Sequence, residues 1–401
     1  MKNFKNIIFV ISLLTFMFNI INPDLNKKID IISYPVTPTI FLYGDMDEMN
    51  SKEDERVVSF SYLSKDISFI KTAKIKIQGS STIYYKKKNY TINLYDDKEL
   101  ENKFKVDMGW GEHSKYVLKA NWSDKTHSRN IVSARIISSV SEKYNLFESA
   151  PNNASIDGFP VDVYLNGEFL GLYTFNLPKT DWMLGLDDKD EKNLAFVGQT
   201  NRDECFFRKA ADYYTWELEV GEENAENLSK FNRLYYFVNN SSDVEFKMNF
   251  SNYFDLNAML NYYVLVDTFM LEDNIGKNMI LLTYDGVVWY PVLYDMDASF
   301  GVNPSGKFIY EYQNVSFEKN LLLSRFENVF WNEICDRYKE LRKDILTTQN
   351  INKEIDLFYN SISKESFEKE NDRWENIPGF DVSQMKEFVS KRFIYLDEYF
   401  D

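Results

Sequence analysis

The spacing of apolar residues changes along this chain, and that change limits its fold more than any other feature. In the front half, the segments ERVVSFSYL (55–63) and AKIKIQG (73–79) alternate apolar and polar residues, as strands with one buried face do. From about residue 317 onward, apolar residues recur at helical spacing, as in FENVFWNEICDRYKELRKDIL. The sequence therefore predicts class α+β, with a β-rich part over about 37–215 and a helix-rich part over about 216–401.

Further hairpins and helices are predicted in the middle of the chain. The segment KYVLKA reads as a strand, and Ser128 is a candidate cap for a helix from about 129 to 144. The segment FPVDVYLNGEFLGLYTFNLP predicts a β-hairpin, because its central Asn166-Gly167 is a strong turn signal. A helix over 254–272 is followed by a second predicted hairpin that turns at Asp285-Gly286.

The N-terminal segment is predicted to be separate from the folded domain, which spans 37–401. A basic start precedes an apolar run from Ile7 to about Ile21, a pattern typical of an export signal. The run is shorter than the roughly 20 residues of a membrane-spanning helix, and it lacks an evident small-residue cleavage site. Residues 1–24 are therefore interpreted as a signal peptide or an N-terminal anchor, with a buried helix as the alternative, and 25–36 as a linker. This predicts a protein exported to, or membrane-anchored at, the cell envelope.

Composition narrows the classes of function. The net charge of −16 disfavours a nucleic-acid binder, whose surface is normally basic, and it suits a basic protein partner. The histidines are His113 and His127, and neither lies near a nucleophile-elbow pattern, so acid–base chemistry falls to carboxylates. Cys205 and Cys335 lack metal-type spacing and are predicted to be buried thiols, with one disulfide as the alternative.

The segment LEDNIGKNMILLTYDGVVWYPVLYDMDASFG (271–301) carries the most informative polar residues. Asp273 ends the predicted helix, Asn278 follows five residues later, and the second hairpin leads to Asp295 and Asp297. Protein kinases place a catalytic-loop Asp, an Asn five residues on, and a metal-binding Asp before Phe-Gly in this order. The order therefore indicates phosphoryl transfer, although Met-Leu-Glu stands where a conventional kinase has its His-Arg pair, which excludes a conventional kinase.

These residue types also suit the chemistry. A hydroxyl nucleophile needs a nearby proton acceptor, which Asp273 supplies, and its phosphoryl donor needs Mg²⁺. Mg²⁺ takes one or two carboxylates plus waters and phosphates, so Asn278, Asp295 and Asp297 are a sufficient ligand set. If the backbone stays extended after the strand, both acids share one face and approach the same cation. A D-x-D pair is also compatible with another metal enzyme, such as a glycosyltransferase, and with a solvated loop.

Four short motifs occur in order over about residues 70–305. They are a glycine-and-serine turn before a Lys-Lys-x-Tyr strand (Ile77–Thr82 and Lys87–Tyr90), an Asn-x-x-Asp…Arg-Asn segment (Asn121, Asp124, Arg129 and Asn130), a Leu-Asn-Gly hairpin with Gly-x-Tyr (Leu165–Gly167 and Gly171–Tyr173), and an aromatic-Asp-x-Asp-x-x-Phe-Gly motif (Tyr294–Gly301). With these motifs the chain resembles the spore coat protein H (CotH) family of atypical protein kinases, which phosphorylate spore coat proteins.

The resemblance implies an atypical kinase fold, in which a cleft separates a β-rich N-terminal lobe from a helix-rich C-terminal lobe and binds ATP with Mg²⁺ or Mn²⁺. It implies that Asp273 is the catalytic-loop acid and that Asn278 binds the metal together with Asp295 or Asp297. The nucleotide phosphates would be bound by Ser80, Ser81 and Lys88, with Lys87 as the alternative lysine.

Arg129 is a further candidate, for a reason within the sequence itself. It stands at a helix start, where the helix dipole disfavours a cation, and this placement favours a contact with a phosphate or a carboxylate. Arg129 is therefore predicted to bind the nucleotide together with Ser80, Ser81 and Lys88.

The resemblance implies a Ser/Thr kinase that transfers the γ-phosphate of ATP to basic, Ser-rich proteins of the spore coat or cell envelope. Two residues depart from the family pattern: Gln78 stands where arginine is common, and Asn176 where many members have glutamate. They keep open an alternative function, a catalytically weak, kinase-like assembly protein of the spore coat or cell surface. The spore coat is likewise the alternative location.

Overall fold

The computed structural model describes residues 36–401 except 48, 80, 200–205, 207–209, 309–314, 376, 378 and 380. The predicted signal or anchor, nearly all of the predicted linker, and Cys205 lie outside the described residues. Of the described residues, 38% are helical and 24% lie in strands, which confirms class α+β. Within the described part, none of the helices combines the length and the apolar character needed to cross a membrane.

The described strands form two main sheets and one small two-stranded sheet. In chain order they are β1 (Thr39–Tyr43), β2 (Glu55–Leu63), β3 (Ser68–Gln78), β4 (Asn89–Tyr95), β5 (Val106–Asp107), β6 (Glu112–His113), β7 (Lys115–Lys119), β8 (Gly158–Leu165), β9 (Glu168–Asn176), β10 (Leu194–Gly198), β11 (Trp216–Val220), β12 (Met279–Thr283) and β13 (Tyr290–Leu293). The first sheet is a closed barrel in the order β1-β2-β3-β4-β7-β9-β8, and the second is a four-stranded sheet in the order β11-β10-β12-β13.

The barrel is closed by parallel pairing of β1 with β8, while its other neighbouring strands pair antiparallel. Alternation along each strand explains its interior: in β4, Tyr90, Ile92 and Leu94 are buried in one cluster with side chains from the other barrel strands. The barrel therefore has a hydrophobic core of its own, which confirms the strands read from alternating residues in the front half.

The helices pack with the second sheet around another hydrophobic core. They are α1 (Arg129–Lys143), α2 (Asp181–Leu184), α3 (Ala225–Asn240), α4 (Asp243–Asn249), α5 (Leu256–Phe269), α6 (Leu321–Arg342), α7 (Thr348–Tyr359), α8 (Lys364–Arg373) and α9 (Val382–Tyr399). Helices α1 and α2 fall within the predicted β-rich part, and β11, β12 and β13 fall within the predicted helix-rich part. A kinase-like pair of lobes with a cleft between them stays a prediction.

Both predicted hairpins are present. Asn166 and Gly167 have φ of 51° and 87°, the left-handed values that a tight two-residue turn between β8 and β9 requires. The Asn166 amide also exchanges two hydrogen bonds with the main chain of Gly44, so this turn is fastened to the end of β1. The second turn is longer, and its Asp285 carboxylate accepts main-chain hydrogen bonds while Gly286 has φ of 74°.

Helix α8, near the end of the chain, is fastened to the barrel by a buried ion pair. The Lys87 ammonium lies 2.6 Å from Glu370 Oε1, and both side chains are buried. Lys87 also donates to the main-chain oxygens of Ala120 and Leu172, while the Leu172 amide donates to Glu370 Oε2 at 2.7 Å. Burial lowers the pKa of Lys87, and the charge of Glu370 opposes that effect. The pair therefore binds a helix of the C-terminal part to strand β9, the loop before β4 and the segment after β7.

Replacing Glu370 by Gln is expected to lower the free energy of unfolding by about 3–5 kcal/mol, because a buried charge that loses its partner is strongly destabilising. Urea unfolding followed by tryptophan fluorescence measures the change. The matched control is Glu368→Gln on the same helix, whose side chain is 62% exposed and pairs with Lys364. This control is expected to change stability by less than about 1 kcal/mol. Equal midpoints for the two variants would show that the buried pair does not stabilise the fold.

Candidate functional site

A lysine from the barrel meets the two predicted metal ligands. Lys119 is the last residue of β7, and its Nζ lies 2.5 Å from Asp295 Oδ1 and 3.6 Å from Asp297 Oδ2. The three side chains are 14%, 31% and 21% exposed, so solvent reaches the group without surrounding it. This contact connects the barrel to the segment that leaves the second sheet after β13.

The backbone at the acids differs from the predicted extended strand. Strand β13 ends at Leu293, and Asp295 has φ of 57°, so the chain turns there. Met296 enters the core, and its amide donates to Asn130 Oδ1 at 2.9 Å. A turn rather than strand alternation brings both carboxylates to the Lys119 ammonium. Their approach to one metal cation stays a prediction.

The electrostatics of the group favour a cation. Burial raises the pKa of Asp297 to about 7, and repulsion from Asp295, Asp273 and Asp124 acts in the same direction, while Lys119 opposes it. For Lys119, burial lowers the pKa, but attraction to Asp295 and Asp297 outweighs that effect, and the net pKa is raised. Four carboxylates therefore contribute to one negative region.

Asp273 is brought near the acids by the turn that contains it. It lies in a 3₁₀ turn, Glu272–Ile275, beyond the end of α5 at Phe269, rather than at the helix end as predicted. Its neighbour Asn274 is buried and donates from Nδ2 to the main-chain oxygen of Tyr294 at 2.8 Å, which fixes this turn against the residue before Asp295. The Lys277 ammonium lies 4.0 Å from the Asp273 carboxylate.

Asn278 lies at the same end of the β12–β13 hairpin. Met279 pairs with Leu293, so the residue before Met279 lies beside the start of the 294–297 segment. The Asn278 backbone has φ of 65°, and its amide donates to Gly198 O of β10 at 3.1 Å. The structure therefore collects Asp273, Asn278, Asp295 and Asp297 at one end of the second sheet; their catalytic and metal-binding roles stay predictions.

The donor set fits a divalent cation that also has phosphate ligands. Two carboxylates and one amide oxygen supply the hard oxygen ligands that Mg²⁺ prefers, and Mg²⁺ commonly takes only one or two carboxylates from a protein. In the part of the chain that the structure describes, no three His, Cys, Asp or Glu side chains are grouped as a complete metal cage. This set therefore suits a metal shared with a nucleotide better than one bound by protein alone.

The predicted phosphate-binding residues contact other protein groups or lie outside the described residues, and their role stays a prediction. Ser80 and the side chain of Ser81 are outside the described residues, and Ser81 begins a 3₁₀ turn. Lys88 donates to the main-chain oxygen of Ile83, and Lys87, the alternative, is buried against Glu370. None of the sequence motifs singles out the lysine that does contact the acids, Lys119.

That lysine, Lys119, was missed by the sequence analysis because a charged residue at a strand end is ordinary. The one available signal is its position two residues before Asn121, in the predicted Asn-x-x-Asp segment. No local sequence pattern predicts that Lys119 contacts Asp295 and Asp297, because they lie far apart in the chain.

Arg129 is fully buried and contacts protein groups. Its guanidinium donates to Ser299 O at 3.0 Å and to Gln384 Oε1 at 2.8 Å, and its Nε lies 3.3 Å from Asp124 Oδ1. A carboxylate contact was one of its two predicted roles and is observed, whereas nucleotide binding stays a prediction. Its place at a helix start is explained by Asp124, whose Oδ2 accepts the Arg129 amide at 2.9 Å and offsets the positive charge.

The predicted bounds of helix α1 agree with the structure, but its cap does not. The Ser128 side chain makes no capping hydrogen bond to the helix, and the carboxylate of Asp124 accepts the first helical amide instead. Since Asn130 on the same turn accepts from Met296, this helix start positions the acid segment through side chains.

The comparisons with known proteins agree with these observations. A family model described as CotH kinase protein matches residues 75–396, which include the barrel strands from β4 onward and all four of Asp273, Asn278, Asp295 and Asp297. Among curated proteins, no match to the chain is found. Because the family match covers most of the chain, the protein belongs to the CotH kinase family.

Proposed function

We propose that this protein is an atypical Ser/Thr protein kinase that transfers the γ-phosphate of ATP with the help of Mg²⁺ or Mn²⁺. The observation that supports this most is the placement of Asp295 and Asp297 around one cationic group, with Asp273 and Asn278 at the same end of the sheet. Membership of the CotH kinase family supports a kinase-like protein in general terms.

The proposed metal ligands are Asp295, Asp297 and the amide oxygen of Asn278. When bound, the metal neutralises charge on the phosphates and so lowers the barrier to their transfer. The protein's contribution is to hold these oxygens in place, which it does through Asn130 at the Met296 amide and Asn274 at the Tyr294 oxygen.

Asp273 is the proposed proton acceptor for the substrate hydroxyl. It lies in a short turn at the same end of the second sheet as Asp295 and Asp297. Its charge helps to raise the pKa of Asp297, so the two carboxylates are close enough to interact electrostatically. A carboxylate in this turn would accept the proton of a substrate hydroxyl that approaches from solvent.

The proposed substrates are basic, Ser-rich proteins of the spore coat or cell envelope. The net charge of −16 attracts basic partners and repels nucleic acids. An N-terminal signal or anchor would place the protein at the envelope, and the spore coat is the alternative location.

A second candidate function is a catalytically weak, kinase-like assembly protein. It is favoured by one observation: Lys119 already neutralises the two acids that a metal would need. The departures Gln78 and Asn176 also support it, since each has a buried side-chain oxygen without a hydrogen-bond partner in the described structure.

Asp273→Asn and Asp295→Asn are each expected to reduce metal-dependent transfer of labelled γ-phosphate to a basic, Ser-rich peptide. A lost general base costs about 10²-fold or more, which sets the expected loss for Asp273→Asn. The matched control is Asp372→Asn, an exposed acid on α8, which is expected to retain wild-type transfer. Equal incorporation by all of these proteins would rule out the assigned site, and no ATP binding by the wild type would favour the assembly protein.

The same two variants are expected to differ in metal binding. Asp295→Asn removes a charged ligand and is expected to weaken Mn²⁺ binding by about tenfold or more, whereas Asp273→Asn removes a group that is not a ligand and is expected to change it much less. Electron paramagnetic resonance of free Mn²⁺ measures both affinities. Equal losses in the two variants would contradict the division of roles between base and ligand.

A further inference from the structure

We propose that Lys119 is a built-in counter-ion of the metal site, which neutralises Asp295 and Asp297 when metal is absent and which the metal must displace. The inference deepens the proposed function and rests on it for the identity of the site. It assigns a positioning role to a residue that neither the motifs nor the family match singles out.

The first step of the argument is geometric. The Lys119 ammonium contacts one oxygen of each carboxylate, at 2.5 Å and 3.6 Å, so it occupies the space between the two acids. A divalent cation shared by the same two carboxylates needs those oxygens at about 2.0–2.1 Å for Mg²⁺. The ammonium and the metal therefore compete for the same oxygens.

The second step concerns what can move. The Lys119 main chain is fixed by pairing with Thr174 of β9 in the closed barrel. Its side chain, by contrast, is a flexible four-carbon stem that ends in a compact charge, and it is partly exposed. Displacement thus requires a rotamer change of one side chain and leaves the barrel intact.

The third step is electrostatic. Without a cation, Asp295 and Asp297 would repel each other, because both carboxylates lie within 3.6 Å of the same ammonium in a partly buried place. Lys119 removes that repulsion and so keeps the ligands close together before metal arrives. A metal has to overcome the attraction between Lys119 and the two carboxylates. This cost lowers the affinity of the protein for metal when nucleotide is absent.

The fourth step extends to the nucleotide. A displaced ammonium beside a metal-bound polyphosphate has a new anionic partner in the phosphates, so its lost contacts with the acids are compensated only when nucleotide is present. Metal and nucleotide are then expected to bind with positive coupling. Each compensates part of the free energy needed to move Lys119 away from the acids, which the other would have to supply alone.

The test is a Mn²⁺ titration of the full chain, without nucleotide, for the wild type and Lys119→Met. Loss of the competitor is expected to tighten Mn²⁺ binding by about tenfold, within the usual range of coupling between sites. The matched control is Lys115→Met at the other end of β7, roughly 13 Å away at the rise of a strand, which is expected to leave the affinity unchanged. Lys119→Arg, which keeps the charge, is expected to stay near the wild type.

Unchanged or weaker Mn²⁺ binding by Lys119→Met would overturn the counter-ion role while leaving the proposed function in place. Absence of Mn²⁺ binding by both the wild type and Lys119→Met would overturn the proposed metal site, and the inference with it.

A second measurement needs no variant and covers the case in which Lys119→Met does not fold. Acetylation of lysines, read by mass spectrometry, is expected to be slow at Lys119 in metal-free protein and several-fold faster with Mn²⁺, because the ammonium is released from the acids. Lys115 is the internal reference and is expected to keep a constant rate. A constant rate at Lys119 under saturating Mn²⁺ would refute displacement.

Discussion

The segment that carries the acid pair has little regular structure, and its main-chain groups depend on side chains from elsewhere. After β13 ends at Leu293, the chain adopts left-handed conformations at Asp295 and Phe300. Buried main-chain groups without ladder partners must find others. Here Asn274 donates to the Tyr294 oxygen, Asn130 accepts from the Met296 amide, and Arg129 donates to the Ser299 oxygen. These three contacts hold the two carboxylates in place before any ligand arrives.

The polar side chains around this segment follow from the same requirement. Arg129 is buried, so its charge must be matched, and Asp124 lies beside it while also accepting the first amide of α1. The Asp124 carboxylate thereby neutralises the Arg129 guanidinium and also caps the N-terminus of α1. The Asn-x-x-Asp…Arg-Asn motif thus has a structural explanation that is independent of catalysis: it builds the support of the acid segment.

Much of the fold can be predicted from the sequence, because short local patterns determine its strands and turns. Alternating residues predict the barrel strands, and Asn166-Gly167 predicts a tight turn, because Asn and Gly adopt left-handed backbone conformations readily. Asn278 and Asp295 could be placed at the same end of one hairpin in advance, since they flank its two strands in the sequence. Contacts between distant parts of the chain could not: Lys119 and Asp295 are 176 residues apart, and Lys87 and Glu370 are 283 apart. The sequence analysis therefore found the acids and missed the lysine that contacts them.

Closure of the barrel has a consequence for the order in which the protein assembles. Strand β1 has two neighbours, of which β2 follows almost at once, whereas β8 is made much later in the chain. Until β8 is available, one edge of β1 is unpaired and open to association with other chains, and parallel pairing across so long a loop is slow to form. During synthesis, the ribosome-bound intermediate that exposes this edge is thus the state in which chaperones would protect the protein, and the finished barrel removes the hazard.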